Sequence, residues 1–147
     1  MIIKKIFIAN GPNLNFLGIR ELEKYGSTTY AELINTIESK AKSLNLEVKL
    51  FQSNNEGEIV DYIQKISQIN DSWLILNPGA FTHTSISIRD ALAIFSQNNK
   101  MIEVHISNIN EREDFRKINL IKEFSEHSII GQGVNGYLEA LEYINGE

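Results

Sequence analysis

The residues of this 147-residue chain that could do chemistry are few and of one character. Asn13, Arg20 and Tyr25 fall in one stretch, and Asn77 with His83 in a second. Glu103, His105 and Ser107 make a third, with Arg112 and Arg116 shortly after. Histidine and tyrosine suit proton transfer. Arginines, and backbone N–H groups at a turn such as Ser107, suit a carboxylate ligand. No pair of candidate metal carboxylates, no Ser–His–Asp grouping and no phosphate loop is evident. These residue types point to a proton-shuttling site for a small polar anion.

Something must bring those stretches together. Apolar runs of strand length, Ile2–Ile8, Val48–Phe51, Trp73–Leu76, Met101–Val104 and Ser128–Ile130, alternate with segments of helical period. The helical stripes are Leu33, Ile34, Ile37, Ala41 and Leu44; Ile59, Ile63 and Ile66; Ile88, Ala91, Leu92 and Phe95; and Tyr137, Leu138, Leu141 and Ile144. Thr29 with Glu32, and Asn55 with Glu58, read as capping boxes. The stretch from Ser107 to Glu126 is irregular, with room for a short helix. Alternation of this kind predicts a flavodoxin-like doubly wound α/β fold, a five-stranded parallel sheet in a single domain spanning 1–147. Ligands of such sheets bind beyond the carboxyl ends of the strands. Each candidate stretch follows or ends a strand, so one sheet edge is expected to collect them all. The connection from Asn10 to Tyr25 is far longer than the usual two to about six residues, as expected of a binding loop or lid.

Composition is that of an ordinary globular domain, 42% hydrophobic and 22% charged. The net charge of −5 argues against a nucleic-acid partner. With no cysteine, disulfides, thiolate catalysis and Cys-ligated zinc are excluded. No run approaches the roughly 18 apolar residues of a membrane span, and the first apolar run is too short for a signal peptide. A cytoplasmic protein with no membrane partner is expected.

Singly, each residue has a plain reading. Asn10 and Asn13 could organise turns, Tyr25 could be a packing tyrosine, His83 a helix-start residue and His105 a satisfied core histidine. Arg112 and Arg116, set among Glu111, Glu113 and Asp114, could form a solvated face. His127 fits no motif and reads as surface. Gly131, Gly133 and Gly136 match a dinucleotide fingerprint, but no second βα unit follows, so a tight strand-to-helix turn near a subunit contact is the better reading. Two other functions compete. A metal-dependent hydrolase would use His83, His105 and Glu103, without a spaced ligand motif. A non-catalytic flavodoxin-like or receiver module would want acids where Asn10 and Asn77 stand.

Taken together, four blocks carry a specific likeness. Asn10-Gly-Pro-Asn-Leu-Asn with Tyr25-Gly, Asn77-Pro-Gly-Ala-Phe-Thr-His-Thr-Ser with Arg89-Asp90-Ala91, Glu103-Val-His-Ile-Ser-Asn, and Gly131-Gln-Gly-Val-Asn-Gly-Tyr occur in order across nearly the whole chain. This pattern resembles type II 3-dehydroquinate dehydratase. The resemblance implies anti elimination of water from 3-dehydroquinate to 3-dehydroshikimate through an enolate, in the shikimate pathway of aromatic amino-acid biosynthesis. It implies no cofactor, no metal and no Schiff-base lysine, and a homo-oligomer, a dodecamer of trimers.

By matching position, the resemblance makes Tyr25 the base. A free tyrosine titrates near 10, so this role at neutral pH demands about 4 kcal/mol in favour of the phenolate, and Arg20 is the residue implied to supply it. Asn13 is implied to hold a water against the enolate, His105 to be the acid, and Glu103 to orient and charge it. Asn77 and the backbone of Ile106 and Ser107 are implied to bind the substrate carboxylate, and His83 and Arg116 the ring hydroxyls. Asp90 is implied to reach a neighbouring subunit's site; Arg112 matches a lid or site arginine. Two departures stand out. Leu22 replaces a common proline, which points to a more mobile lid, and Lys117-Ile118-Asn119 replaces a more polar stretch.

Overall fold

The computed structural model describes residues 3–147. Five parallel strands, β1 (Lys5–Asn10), β2 (Glu47–Gln52), β3 (Trp73–Asn77), β4 (Lys100–His105) and β5 (Ser125–Ile130), form one sheet in the order β2-β1-β3-β4-β5. That order is the flavodoxin-like one. The α-helices are α1 (Leu22–Tyr25), α2 (Tyr30–Ser43), α3 (Glu56–Ile66), α4 (Ile86–Phe95) and α5 (Asn135–Asn145).

Side chains alternate across the sheet and divide the core into two layers. Ile6, Ile8, Ile75, Ile102 and Val104 pack with Leu33 and Ile37 of α2 and Tyr137, Leu141 and Ile144 of α5. Phe7, Ala9, Leu74, Leu76 and Met101 pack with Ile59 and Ile63 of α3 and Ile88, Leu92 and Phe95 of α4. The same alternation puts Glu103 and His105, two apart on β4, on one face.

Several boundaries differ from the sequence reading. β1 begins at Lys5, not Ile2; Met1 and Ile2 lie outside the described residues. β5 begins at Ser125, three residues before the expected Ser128. Its first residues are polar because this is an edge strand with exposed positions, which hides them from an apolar count. The Ser107–Glu126 stretch holds three single 3-10 turns, Ile109–Glu111, Asp114–Lys117 and Lys122–Phe124. The long Asn10–Tyr25 connection contains a 3-10 turn at Leu14–Phe16 and the one-turn helix α1. Thr29 caps α2 by accepting from Glu32's N–H at 3.1 Å. At α3 Asn55 accepts from Gly57 and Glu58, but the Glu58 carboxylate takes the Ser53 hydroxyl at 2.5 Å, so no reciprocal box closes there.

The last glycines are turn devices. Gly131 and Gly133 have φ of 81° and 61°, a region that side chains disfavour. A Cβ on Gly136 would sit 3.1 Å from Ile129 and 3.3 Å from Val104, so its absence lets α5 approach the sheet. His127 is exposed and stacks on Tyr143 at 4.8 Å.

Candidate active site

The strand ends open into a cleft of about 110 Å³. Asn13, Arg20, Tyr25, Asn77, His83, His105, Ile106, Ser107, Arg112 and Arg116 all line it. Of the sequence candidates only Glu103 and Asp90 do not. Glu103 is buried directly behind His105, and Asp90 is exposed on α4.

One side of the cleft is built around the Tyr25 hydroxyl. Arg112 donates to it from Nη1 at 2.7 Å, and Arg20 from Nη2 at 3.3 Å. The Arg20 guanidinium also lies over the Tyr25 ring, 4.4 Å from its centroid. Two guanidinium donors thus converge on one phenol oxygen. α1 ends at Tyr25, and Glu21 before it has φ 33°, a left-handed conformation uncommon for a side-chain-bearing residue. Glu21 pairs with Lys24 and Arg20, which together hold its carboxyl below the usual range. Asn13, at φ 70°, is both a turn residue and a cleft residue, with its N–H given to Asn54 at 2.9 Å.

A second group is the Glu103–His105 pair. His105 Nε2 lies 2.9 Å from Glu103 Oε2, with both side chains buried. A carboxylate can only accept, so Nε2 carries hydrogen and Nδ1 is left for proton exchange. Burial pushes the Glu103 carboxyl up. Hydrogen bonds from His105, Ser128 and Asn119 outweigh it and hold the group below its ordinary value. The strand itself is irregular here. A register shift at Met101/Ile102 lets the Ser125 hydroxyl take Glu103's N–H at 2.9 Å, the kind of bulge that re-aims side chains beside a site.

The remaining groups are fixed from behind. Asn77 Nδ2 donates to the Tyr137 hydroxyl at 3.0 Å, and that hydroxyl donates to Asn10 at 2.5 Å. Asn10 in turn donates to Tyr30 at 3.3 Å. Asn77 keeps one amide hydrogen for a ligand. His83 Nδ1 meets the carbonyl of Ile118 at 2.7 Å, so Nδ1 bears hydrogen and Nε2 is an acceptor in the neutral ring. The N–H groups of Ile106 and Ser107 meet no backbone acceptor among the described residues. Arg116 combines the two readings made of it: it lines the cleft and also pairs with Glu113 at 2.6 Å.

His83, His105 and Glu103 are tied into hydrogen bonds rather than arranged as a ligand set. The Glu103 oxygens are taken by four hydrogen bonds, and each imidazole has one nitrogen committed. Among the described residues no cluster of three His, Asp or Glu is set to hold an ion. The positions where a receiver would carry acids, Asn10 and Asn77, are buried and bonded to each other through Tyr137. None of the described helices is long and apolar enough to cross a membrane.

Sequence reasoning overlooked Asn119, Ser128 and Tyr137 as parts of this site. Asn119 was visible only as one residue of an altered stretch, Ser128 as the start of an apolar run, and Tyr137 as a helix-core residue.

Comparison with known proteins gives the same reading. The family model for Dehydroquinase class II matches residues 4–145. The chain is 52% identical over 140 residues to the 3-dehydroquinate dehydratase of Endomicrobium trichonymphae, covering 95% of each chain. It is 48% identical over 140 residues to that of Lachnoclostridium phytofermentans, again 95% of each. Among solved structures, the type II dehydroquinase of Butyrivibrio crossotus superposes with a TM-score of 0.93 at 49% identity, over 97% of this chain and 98% of that one. With the fold, the cleft and its relatives in agreement, the chain belongs to the Dehydroquinase class II family.

Proposed function

We propose that the chain removes water from 3-dehydroquinate to give 3-dehydroshikimate by anti elimination through an enolate. The observation that carries this reading is two groups lining one cleft: a tyrosine oxygen held by two arginines, and a histidine held by a buried glutamate.

The Tyr25 phenolate takes the proton next to the ketone, and the electron pair moves onto the carbonyl oxygen as an enolate. A water held by Asn13 steadies that charge. The enolate then collapses, the C–O bond of the β-hydroxyl breaks, and His105 gives that oxygen a proton so that it leaves as water. Glu103 keeps the imidazolium oriented and balanced. The free amide hydrogen of Asn77 and the N–H groups of Ile106 and Ser107 receive the substrate carboxylate. His83 and Arg116 bind ring hydroxyls. No step needs a cofactor.

We further propose that Asp90, exposed on α4 with Ile86 and Ile94 also exposed on that helix, completes the site of a neighbouring copy in a homo-oligomer, a dodecamer of trimers. A cytoplasmic place in the shikimate pathway is part of the same proposal. Formation of the conjugated enone from 3-dehydroquinate, followed by ultraviolet absorbance, tests the reaction, and no product from assembled protein would sink it. Tyr25→Phe should abolish turnover and keep ligand binding; normal turnover would remove Tyr25 as the base.

A further inference from the structure

Glu103 is fully buried, yet four donor contacts converge on it. His105 and Ser128 supply one each. Asn119 supplies the other two, from Nδ2 to Oε1 at 3.2 Å and to Oε2 at 2.9 Å. Asn119 is itself fixed. Its Oδ1 accepts from the N–H groups of Ile121 and Lys122 at 3.1 and 3.0 Å, which leaves the amide nitrogen facing the carboxylate. The backbone on either side is also tied down. Ile118's carbonyl meets His83, and Leu120 gives its N–H to Thr82's carbonyl and takes Arg89 on its own carbonyl. A bridge across both oxygens sets the plane of the carboxylate, and with it the lone pair that meets His105 Nε2.

From this geometry we propose that Asn119 is a positioning residue for the acid, acting through Glu103 on His105. Resting on the dehydratase reading, it assigns the irregular segment a double duty. The segment carries Arg112 to the base and Arg116 to the cleft, and eight residues of chain from Arg112 bring Asn119 to the carboxylate behind the acid. A substrate-side segment and the acid's support are thereby one piece of chain.

The titratable group that meets Glu103 is His105, on its own strand. β5 offers the Ser128 and Ser125 hydroxyls, β3 is paired there through Leu76, and Arg89 of α4 is turned to Leu120 and Glu123. Removing or reversing the Asn119 donor therefore acts on the Glu103–His105 pair without a second cation to compensate.

Asn119→Asp keeps the acceptor for Ile121 and Lys122 and replaces the donor by a like charge. It should lower kcat about ten- to hundredfold with KM nearly unchanged, and should move the acid limb of the kcat profile up by about one pH unit, because Glu103 then protonates more readily. Asn119→Ser, whose hydroxyl can both cap and donate, should recover most of kcat. If the Asp variant does not assemble, Asn119→Ala must show the same selective loss of kcat. The nitrogen spectrum of the imidazoles gives a readout free of substrate. With three histidines in the chain, the His105 pattern of Nε2–H against carboxylate should change in Asn119→Asp and persist in Asn119→Ser. Unchanged kcat, pH profile and imidazole spectrum in Asn119→Asp, or a serine variant as impaired as the aspartate one, would overturn the proposal. Wild-type protein that does not turn over 3-dehydroquinate would instead overturn the reaction assignment, leaving the imidazole test standing.

Discussion

Arg112 reaches the Tyr25 hydroxyl at 2.7 Å, while Arg20 reaches the same oxygen at 3.3 Å. Their other partners differ in kind. Arg20 also bonds the Glu21 carboxylate at 3.0 Å, which offsets its charge. Arg112's second partner is the neutral hydroxyl of Ser107 at 3.2 Å. The field at the phenol oxygen is therefore set more by Arg112, whose role the motif likeness left least defined. Arg112→Ala is expected to lower kcat by about 10²–10³, the effect of removing one preorganised donor to a charged oxygen. Arg20→Ala is expected to lower it by less. Steady-state rates of both variants decide the order, and a larger loss at Arg20 would refute it.

The fold class and the contents of the cleft were legible because both follow from simple rules. Strand-length apolar runs alternate with helical stripes, and each chemical group stands just beyond a strand. What escaped was the support behind those groups. Glu103 is met by Asn119 and Ser128, 16 and 25 residues away, from an irregular segment and an edge strand. Neither has a periodicity that would reveal which way a side chain turns. Tyr137 was read as core, and it is wholly buried. Its hydroxyl links Asn10 to Asn77 only because α5 packs behind β3, β4 and β5, a packing fact that no local pattern carries. The early start of β5 escaped for the same reason, its first residues being polar and exposed.

His83 carries a pH prediction. Burial pushes its imidazole below the ordinary value near 6.5, the Ile118 carbonyl opposes that, and the positive charge of Arg116, His105 and Arg112 adds to the lowering. A depressed folded-state value means the unfolded chain takes up the proton first. Stability due to neutral His83 is therefore full above about 6.5 and is lost as pH falls through the lower folded value. If its neutral Nε2 accepts a substrate hydroxyl as proposed, KM should climb as pH falls through that lower folded value. In His83→Asn both the fall in Tm and the rise in KM between pH 7 and 5 should flatten. Melting curves and KM measured across that range check it, and identical slopes in the variant would refute it.

Tyr137 tests the buried amide network. Burial pushes its hydroxyl well above the ordinary tyrosine value, so it stays neutral and both donates and accepts. Tyr137→Phe leaves an Asn10 oxygen and an Asn77 amide hydrogen without partners in the core. At roughly 1–3 kcal/mol for each unsatisfied group, the variant should lose about 2–6 kcal/mol of stability. Because Asn77 is then free to turn, KM should rise more than kcat falls. Urea titration and steady-state kinetics check the two parts, and a stability loss under about 1 kcal/mol would show that the network relaxes.

Leu22 is where the lid can be tuned. It is the first residue of α1 and is 51% exposed, so its side chain anchors little. The N–H at a first helical position has no partner within the helix, and none of the described backbone carbonyls takes it. Proline fits such a position, since its fixed φ suits the helix and the missing N–H is not needed. Glu21 before it lies at φ 33° and ψ 60°, away from the extended region that a following proline favours, so Glu21 must shift toward extended backbone to accept the ring. With that shift made, Leu22→Pro should restrict the unfolded loop without breaking α1, adding about 0.4–1 kcal/mol. Because Arg20 and Tyr25 flank this residue, a stiffer lid should also lower KM, with a slower step of product release lowering kcat. Hydrogen exchange should show slower opening of Gly18–Gly26 in the variant. Faster exchange there, with a raised KM, would mean that the Glu21 conformation cannot coexist with proline and that the lid depends on leucine at this position.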